Sequence, residues 1–495
     1  MRTLALLLAV SAAAFAQPPA ANSCAADGTV VNSVSGAPIE RAHVSIMSSD
    51  DVFFADSDAT GKWIVEHVAC GRVTIVVNRP GFLRKQQVIE KSPAHDVRLQ
   101  LVPQAVLAGR VLDEQGEPLL GAQISVMTSR VVNGVRGVQA STSAITNDLG
   151  EYRFSGLAAG KYTLCANAGG GAIVTSGARP YGERCYPGST PMDVAAGYEG
   201  SIDFVLSPLA TVQVSGVVSG RPEGSTTIVV LVPRNQIARM YMGLSAQPGP
   251  DGTFVIRHVP PSSYTALVTS GRMVATTPVE VGSSDIDSLQ LHIEPGATVT
   301  GTVKIVSAGE RKLTSEMDVQ LARDRATDGV GFSKSGVWTE NRTSFTLSEV
   351  PAGNYHVQLT PPAPFYVKSV TLGGRDISSS DFMVAPGAGN IDVVLADDGG
   401  TVEGDVSSDD GPSPAWVLLQ KDGVSSRNAR ADASGHFKID TLPPGDYKVY
   451  AWDDSSNVEY GNPEWMRQNG KGVAVSVAPG QTAQVRVTRQ TAPPE

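Results

Sequence analysis

Seven histidines, His43, His67, His95, His258, His292, His356 and His436, are where this chain would hold a catalytic metal. Zinc hydrolysis uses His-x-x-Glu with a distant third ligand, or His-Glu-x-x-His on one helix face. Three positions after these histidines stand Ile46, Cys70, Arg98, Pro261, Pro295, Leu359 and Ile439, and none is Glu. No Gly-x-Ser-x-Gly elbow, phosphate-cradling loop or dinucleotide fingerprint occurs either. The sequence therefore assigns no catalytic, cofactor-binding or metal residue, and it predicts a chain that is not an enzyme.

Three other groups of residues could bind or cross-link. Asp56-Ser57-Asp58-Ala59-Thr60-Gly61 resembles an acidic calcium loop but lacks the third acidic ligand and the distant Glu, so a plain hairpin turn is the expected reading. Four cysteines, Cys24, Cys70, Cys165 and Cys185, form no Cys-x-x-Cys pair, which disfavours a metal knot and favours disulfides in an oxidising compartment. Trp452, Tyr460 and Trp465 lie in or beside a long loop, Asp453 to Lys471, that also holds Asn462. Exposed rings of this kind stack on sugar faces, which makes the three residues the candidate ligand patch. The competing reading extends Trp452 into a core and uses Trp465 to pin the loop.

The elements that position these residues follow a repeat. Trp63, Tyr152, Phe254, Phe345 and Phe437 each stand ten positions before Val73, Tyr162, Tyr264, Tyr355 and Tyr447, at a pitch of 89 to 102 residues. Before the first ring comes a turn: Asp58 to Gly61, Asn147 to Gly150, Asp432 to Gly435. Asp or Asn opens such a turn by accepting bonds from its own backbone, and Gly closes it. Before the second ring comes another, as in Leu157-Ala-Ala-Gly-Lys-Tyr162 and Leu442-Pro-Pro-Gly-Asp-Tyr447. A Tyr placed there buries its ring and turns its hydroxyl onto nearby backbone. Each unit closes on alternating apolar residues, such as Val97, Leu99 and Leu101, the period-two mark of a strand with one buried face. Units three and four have drifted: Gly249 replaces the turn Asp, Ser262 the later Gly, and Glu340 and Thr343 stand in the fourth turn. Only 8 to 10 residues join a closing strand to the next opening Gly (Gly109, Gly216, Gly301, Gly404), which predicts a stiff row of units.

Fifty-one Gly and 32 Pro among 495 residues suit many short strands, and 41% hydrophobic residues suit packed cores. A net charge of −10 argues against nucleic acid and against an anionic membrane surface. Residues 1–16 read as a signal peptide: Arg2, an apolar run from Leu4 to Phe15, and Ala14-Phe15-Ala16 as the cleavage site. Later stretches are too short to span a bilayer, so the mature chain is expected in the periplasm, on the cell surface or outside the cell. With export, the repeat boundaries favour Cys24 with Cys70 and Cys165 with Cys185.

The motifs Gly-x-Val, Gly-x-Pro-Leu-x-Gly-Ala (Gly116 to Ala122), Asp-x-x-Gly-x-aromatic and Pro-x-Gly-x-Tyr together resemble the carboxypeptidase regulatory-like family, most clearly in units one, two and five. The resemblance implies an all-β tandem array of five Ig-like, prealbumin-like (transthyretin-like) sandwiches, close to starch-binding-like modules. It implies no peptidase chemistry in the module itself. The expected division is a signal peptide over 1–16 and sandwiches over 17–104, 105–210 (with a Cys-bounded insertion), 211–297, 298–400 and 401–495. The function it implies is non-catalytic: cell-envelope structure, adhesion or partner binding. Carbohydrate binding is the alternative, and service beside a metallocarboxypeptidase or outer-membrane system the second. Expected partners are a glycan or an envelope protein, with no cofactor and no nucleic acid.

Overall fold

The computed structural model describes residues 23–48, 51–92, 94–168, 180–188, 190–234, 244–307, 309, 311–323, 330–385, 387, 389–421 and 425–493. The signal peptide expected over 1–16 and the insertion glycines Gly169 to Gly171 lie outside them. The described residues group into two compact units. One holds the chain up to Gly109 with Arg153–Lys161 and Met192–Ile202; the other holds Arg110–Tyr152, Tyr162–Pro191 and everything from Asp203 onward.

Among the described residues ten sheets form five sandwiches in sequence order. The first shows the plan. Its opening strand Ser23–Asn32 lies between Lys62–Ala69, antiparallel, and the closing strand Ala94–Leu101, parallel. The facing sheet runs Val52–Asp56, His43–Met47, Gly71–Asn78, Lys85–Ser92. The third sandwich repeats it with Val212–Ser219 between Thr253–Val259 and Ile286–His292. So does the fifth, with Gly400–Ser408 between His436–Leu442 and Thr482–Thr488. The fourth adds a hairpin, Tyr366–Leu372 with Arg375–Asp376, beyond its closing strand Ile391–Ala396. Drift in its turn motifs has cost neither the third nor the fourth its core: both sheets of each contribute to one buried cluster.

The repeated rings are those cores. Trp63, Tyr152, Phe254, Phe345 and Phe437 are all at most 4% exposed. The second rings end on the backbone, with Tyr264, Tyr355 and Tyr447 donating to the carbonyls of Pro260, Pro351 and Pro443, four residues back, at 2.8, 2.9 and 2.5 Å. Each hydroxyl thus satisfies a proline carbonyl at the preceding turn while its ring fills the space between the sheets.

The aspartate turns explain the calcium-like loop. Asp58 Oδ1 accepts from Thr60 Oγ1 and from the amides of Thr60 and Lys62 at 2.8 to 2.9 Å. Asp56 meets His43 Nδ1, and Ser57 is buried, bridging Ala42 N and Ile39 O. Three successive side chains thus serve three different places. In the third sandwich the carboxylate moves to Asp251, which accepts from Thr253. In the fourth the turn is one residue longer than the sequence alignment suggests. Thr339, not Glu340, opens it, and Arg342 at φ 55° takes the left-handed place of the glycine.

Hydroxyl bonds from Thr60, Thr253 and Ser434, then backbone amides, hold Asp58, Asp251 and Asp432 below their ordinary pKa of 3.8. A carboxylate depressed by folding contributes stability above its unfolded value and loses it as pH falls through the folded one. Asn147 and Asn341 fill these roles in the second and fourth sandwiches and do not titrate. The triple variant Asp58→Asn, Asp251→Asn, Asp432→Asn keeps the acceptor oxygens. Its melting temperature should fall less than the native protein's between about pH 4 and about pH 2. Parallel acid limbs in thermal melts would remove the turns from the acid response.

Candidate functional site

Among the described residues the fifth sandwich buries a second face of one of its sheets. Strand Ala415–Lys421 is buried at every position from Ala415 to Gln420, and Gly445–Trp452 is buried from Val449 onward. Neighbours on a strand point to opposite faces. Ala415, Val417, Leu419, Tyr447, Val449 and Ala451 therefore enter the core between the sheets. Trp416, Leu418, Tyr450 and Trp452 form a second cluster on the outside, covered by Val458 and Met466 of the following segment.

This corrects the ligand patch expected from sequence. Trp452 is fully buried. Tyr450 stacks on it at 5.5 Å between ring centroids, with Trp416 at 6.0 Å and Trp465 at 6.3 Å. It therefore has no face for a sugar, and the reading in which it extends the strand into a core holds. Trp465 pins the loop from the helix Pro463–Asn469 and is partly buried. Tyr460, also partly buried, packs on Trp416 at 5.8 Å. The three residues do gather in one cluster, but only Tyr460 lines a cleft.

That cleft lies between the strand Gly445–Trp452 and the helix, with a volume of about 690 Å³. The helix starts where Asn462 Oδ1 accepts from the amides of Glu464 and Trp465 at 3.1 and 3.2 Å, with Pro463 at its first turn. Gln420 Nε2 holds the Tyr460 carbonyl at 2.8 Å. Tyr450 lies alongside Gly470 and Gly472, where a Cβ would come within 2.9 and 2.6 Å of its ring. Burial pushes the Tyr450 phenol above its ordinary pKa, so it stays a neutral hydroxyl. Lys448, Arg467 and Lys471 also line the cleft, and none of them meets a carboxylate among the described residues. Asp446 accepts from Ser476 Oγ at 2.5 Å. The arrangement suits holding a ring and a negative charge. Sequence reasoning missed Tyr450 and the three cations, although aromatics at alternate positions 450 and 452 after the inward Tyr447 signal a strand buried on both faces.

His43 meets Asp56 at 3.0 Å, His436 meets Glu403 at 3.2 Å, and His95 bonds to Asp27. Among the described residues the only three potential metal ligands close together are Cys165, Glu183 and Cys185. The two cysteines are joined in a disulfide, as are Cys24 and Cys70, so neither offers a thiolate. No helix of the described residues is long and apolar enough to cross a membrane.

Fold and cross-links together define a tandem array of β-sandwich modules, the first two each closed by a disulfide. Its first two modules can be placed more closely: residues 26–102 and 106–207 match the model of the carboxypeptidase regulatory-like domain. Comparison with curated proteins finds no match. Among solved structures the chain is similar to the minor pilin GBS52 of Streptococcus agalactiae, with 16% identity over 38% of this chain and 98% of that one, and a TM-score of 0.23. It is similar also to two B repeat units of the collagen binding protein of Staphylococcus aureus (11% identity, 76% and 100% covered, TM-score 0.14). A third similarity is to the Bacillus anthracis TIE protein (12% identity, 55% of this chain, TM-score 0.17), of whose length the match spans about half.

Proposed function

We propose that this chain is an exported, non-catalytic β-sandwich array for adhesion, envelope structure or partner binding, and that the cleft of the fifth sandwich is its recognition surface. The observation that carries this is the composition of the cleft: tyrosine rings with Lys448, Arg467 and Lys471, three cations that meet no carboxylate among the described residues, while Asp446 is engaged by Ser476. Two disulfides support export, because such bonds persist in oxidising compartments. A second reading, carbohydrate binding, is favoured by the partly buried Tyr460 ring beside Lys448 and Lys471. Rings stack on pyranose faces, and the cations select acidic sugars.

The test uses residues 17–495 on a panel of neutral and acidic glycans and in a pull-down from envelope extract. Retention lost on Tyr460→Ala or on Lys448→Ala with Lys471→Ala, with melting unchanged, supports the cleft. Retention that survives both variants moves the binding surface elsewhere. Turnover of a peptide or ester substrate by the purified chain overturns the non-catalytic reading.

A further inference from the structure

We propose that the second sandwich holds in place the loop that walls the cleft of the fifth, so that the recognition surface depends on two modules. This rests on the reading of the cleft given above. The second sandwich has an outsized hairpin, Gln123–Val132 with Val135–Ile145, strands of 10 and 11 residues. The matching strands of the first sandwich have 5 residues each and those of the fifth 7 each. At about 3.4 Å per residue, the surplus over the fifth reaches some 10 Å further from the sheet. The tip turns through Asn133 and Gly134 at φ 50° and 77°, the left-handed pair of a tight two-residue turn.

That tip meets the loop of the fifth sandwich without a gap. Gly134 O accepts from Gly461 N at 2.8 Å. A Cβ on Gly134 would stand 2.5 Å from the Tyr460 ring, and one on Gly461 would stand 2.9 Å from Val135 Cγ2 and 3.0 Å from Gly134 O. Both backbones approach this closely only because neither residue has a side chain. Beside them Arg136 Nε donates to Glu459 Oε1 at 2.7 Å, the two side chains only 28% and 13% exposed. Glu459 Oε2 accepts from Asn462 Nδ2 at 3.3 Å, and Asn462 caps the helix that forms one side of the cleft. A path of direct contacts therefore runs from Arg136 through Glu459 and Asn462 to that helix, and from Gly134 to Tyr460. Arg136 is a positioning residue, 323 positions from its partner in sequence.

The test is amide hydrogen exchange on residues 459–470 in the full mature chain. Arg136→Ala, and separately Gly461→Val, should raise exchange there by about tenfold or more, because loss of one partner leaves a shielded charge unpaired and a new side chain parts the backbones. The charge exchange Arg136→Glu with Glu459→Arg should recover part of the protection. Arg110→Ala, which breaks the Arg110–Glu151 pair at 2.8 Å within the second sandwich, should leave the loop unchanged. Unaltered exchange in both Arg136→Ala and Gly461→Val overturns the proposal, as does an equal rise in Arg110→Ala. If exchange rises as expected but the native chain retains no ligand, the coupling stands and the recognition role of the cleft falls.

Discussion

Replacing Cys24 and Cys70 together by alanine will destabilise the first sandwich by about 4 kcal/mol, the chain entropy that closing a loop of 46 residues removes from the unfolded state. For a module of this size that is a fall in melting temperature of roughly 15 to 30 °C. The position of the bridge supports a value near the entropic limit. Cys24 lies in the opening strand, in register with Val68, and Cys70 lies where the chain leaves Lys62–Ala69 for Gly71–Asn78 in the facing sheet. The Cα atoms are 5.2 Å apart, within the ordinary range for a disulfide. The bond therefore ties one sheet to the crossing point into the other. Cys165 and Cys185 are cross-strand neighbours within one sheet and close only 20 residues, so their removal costs less, about 3 kcal/mol. Calorimetry with and without reductant, resolved by module through hydrogen exchange, checks both values. A first sandwich that melts unchanged when reduced would show that its apolar core alone suffices.

Much of this architecture could be read from the order of residues because its causes are local. A ring ten positions before a second ring, or before Val73 in the first unit, spans one strand, one turn and the start of the next strand, and both side chains are buried wherever the spacing recurs. Asp58 and Asp432 act on amides two and four residues away, within reach of any short-range reading. The fourth turn shows the limit: one added residue moves the opening role from Glu340 to Thr339, and composition does not reveal which strand residues pair. Trp452 shows another. Period-two patterning assigns it to the face opposite Val449 and Ala451, but what covers that face comes from Val458 in a loop and Met466 in the short helix after it. The contact of Arg136 with Glu459 lies beyond sequence altogether. A row of units coupled only through short joints predicts contacts between neighbours, and this pair joins the second sandwich to the fifth.

Gly404→Ala will destabilise the fifth sandwich by about 3 kcal/mol, at the upper end of what overpacking a core usually costs. In four sandwiches a glycine of the opening strand stands directly across from the first core ring: Gly28 from Trp63, Gly216 from Phe254, Gly301 from Phe345 and Gly404 from Phe437. The ring covers the strand where a side chain is missing, and the closing strand moves in on the other side. A Cβ on Gly404 would lie 2.1 Å from the Val485 carbonyl oxygen; on Gly28 and Gly216 it would lie 2.0 Å from those of Val97 and Leu289. The opening strand is bonded on both edges, so neither backbone can withdraw without breaking a ladder. Gly282, with nothing within 4 Å of an added Cβ, should accept alanine at little cost. The fourth sandwich separates the two obstacles, because there the added atom would meet the Phe345 ring at 2.0 Å rather than a carbonyl. A smaller partner should therefore relieve Gly301→Ala: combined with Phe345→Leu it should cost less than the sum of the single changes. Combined with Phe437→Leu, Gly404→Ala should show no such relief, since the carbonyl remains. Urea melts of the six variants decide it, and additive costs in both pairs would mean that these glycines are kept for some reason other than the space they leave.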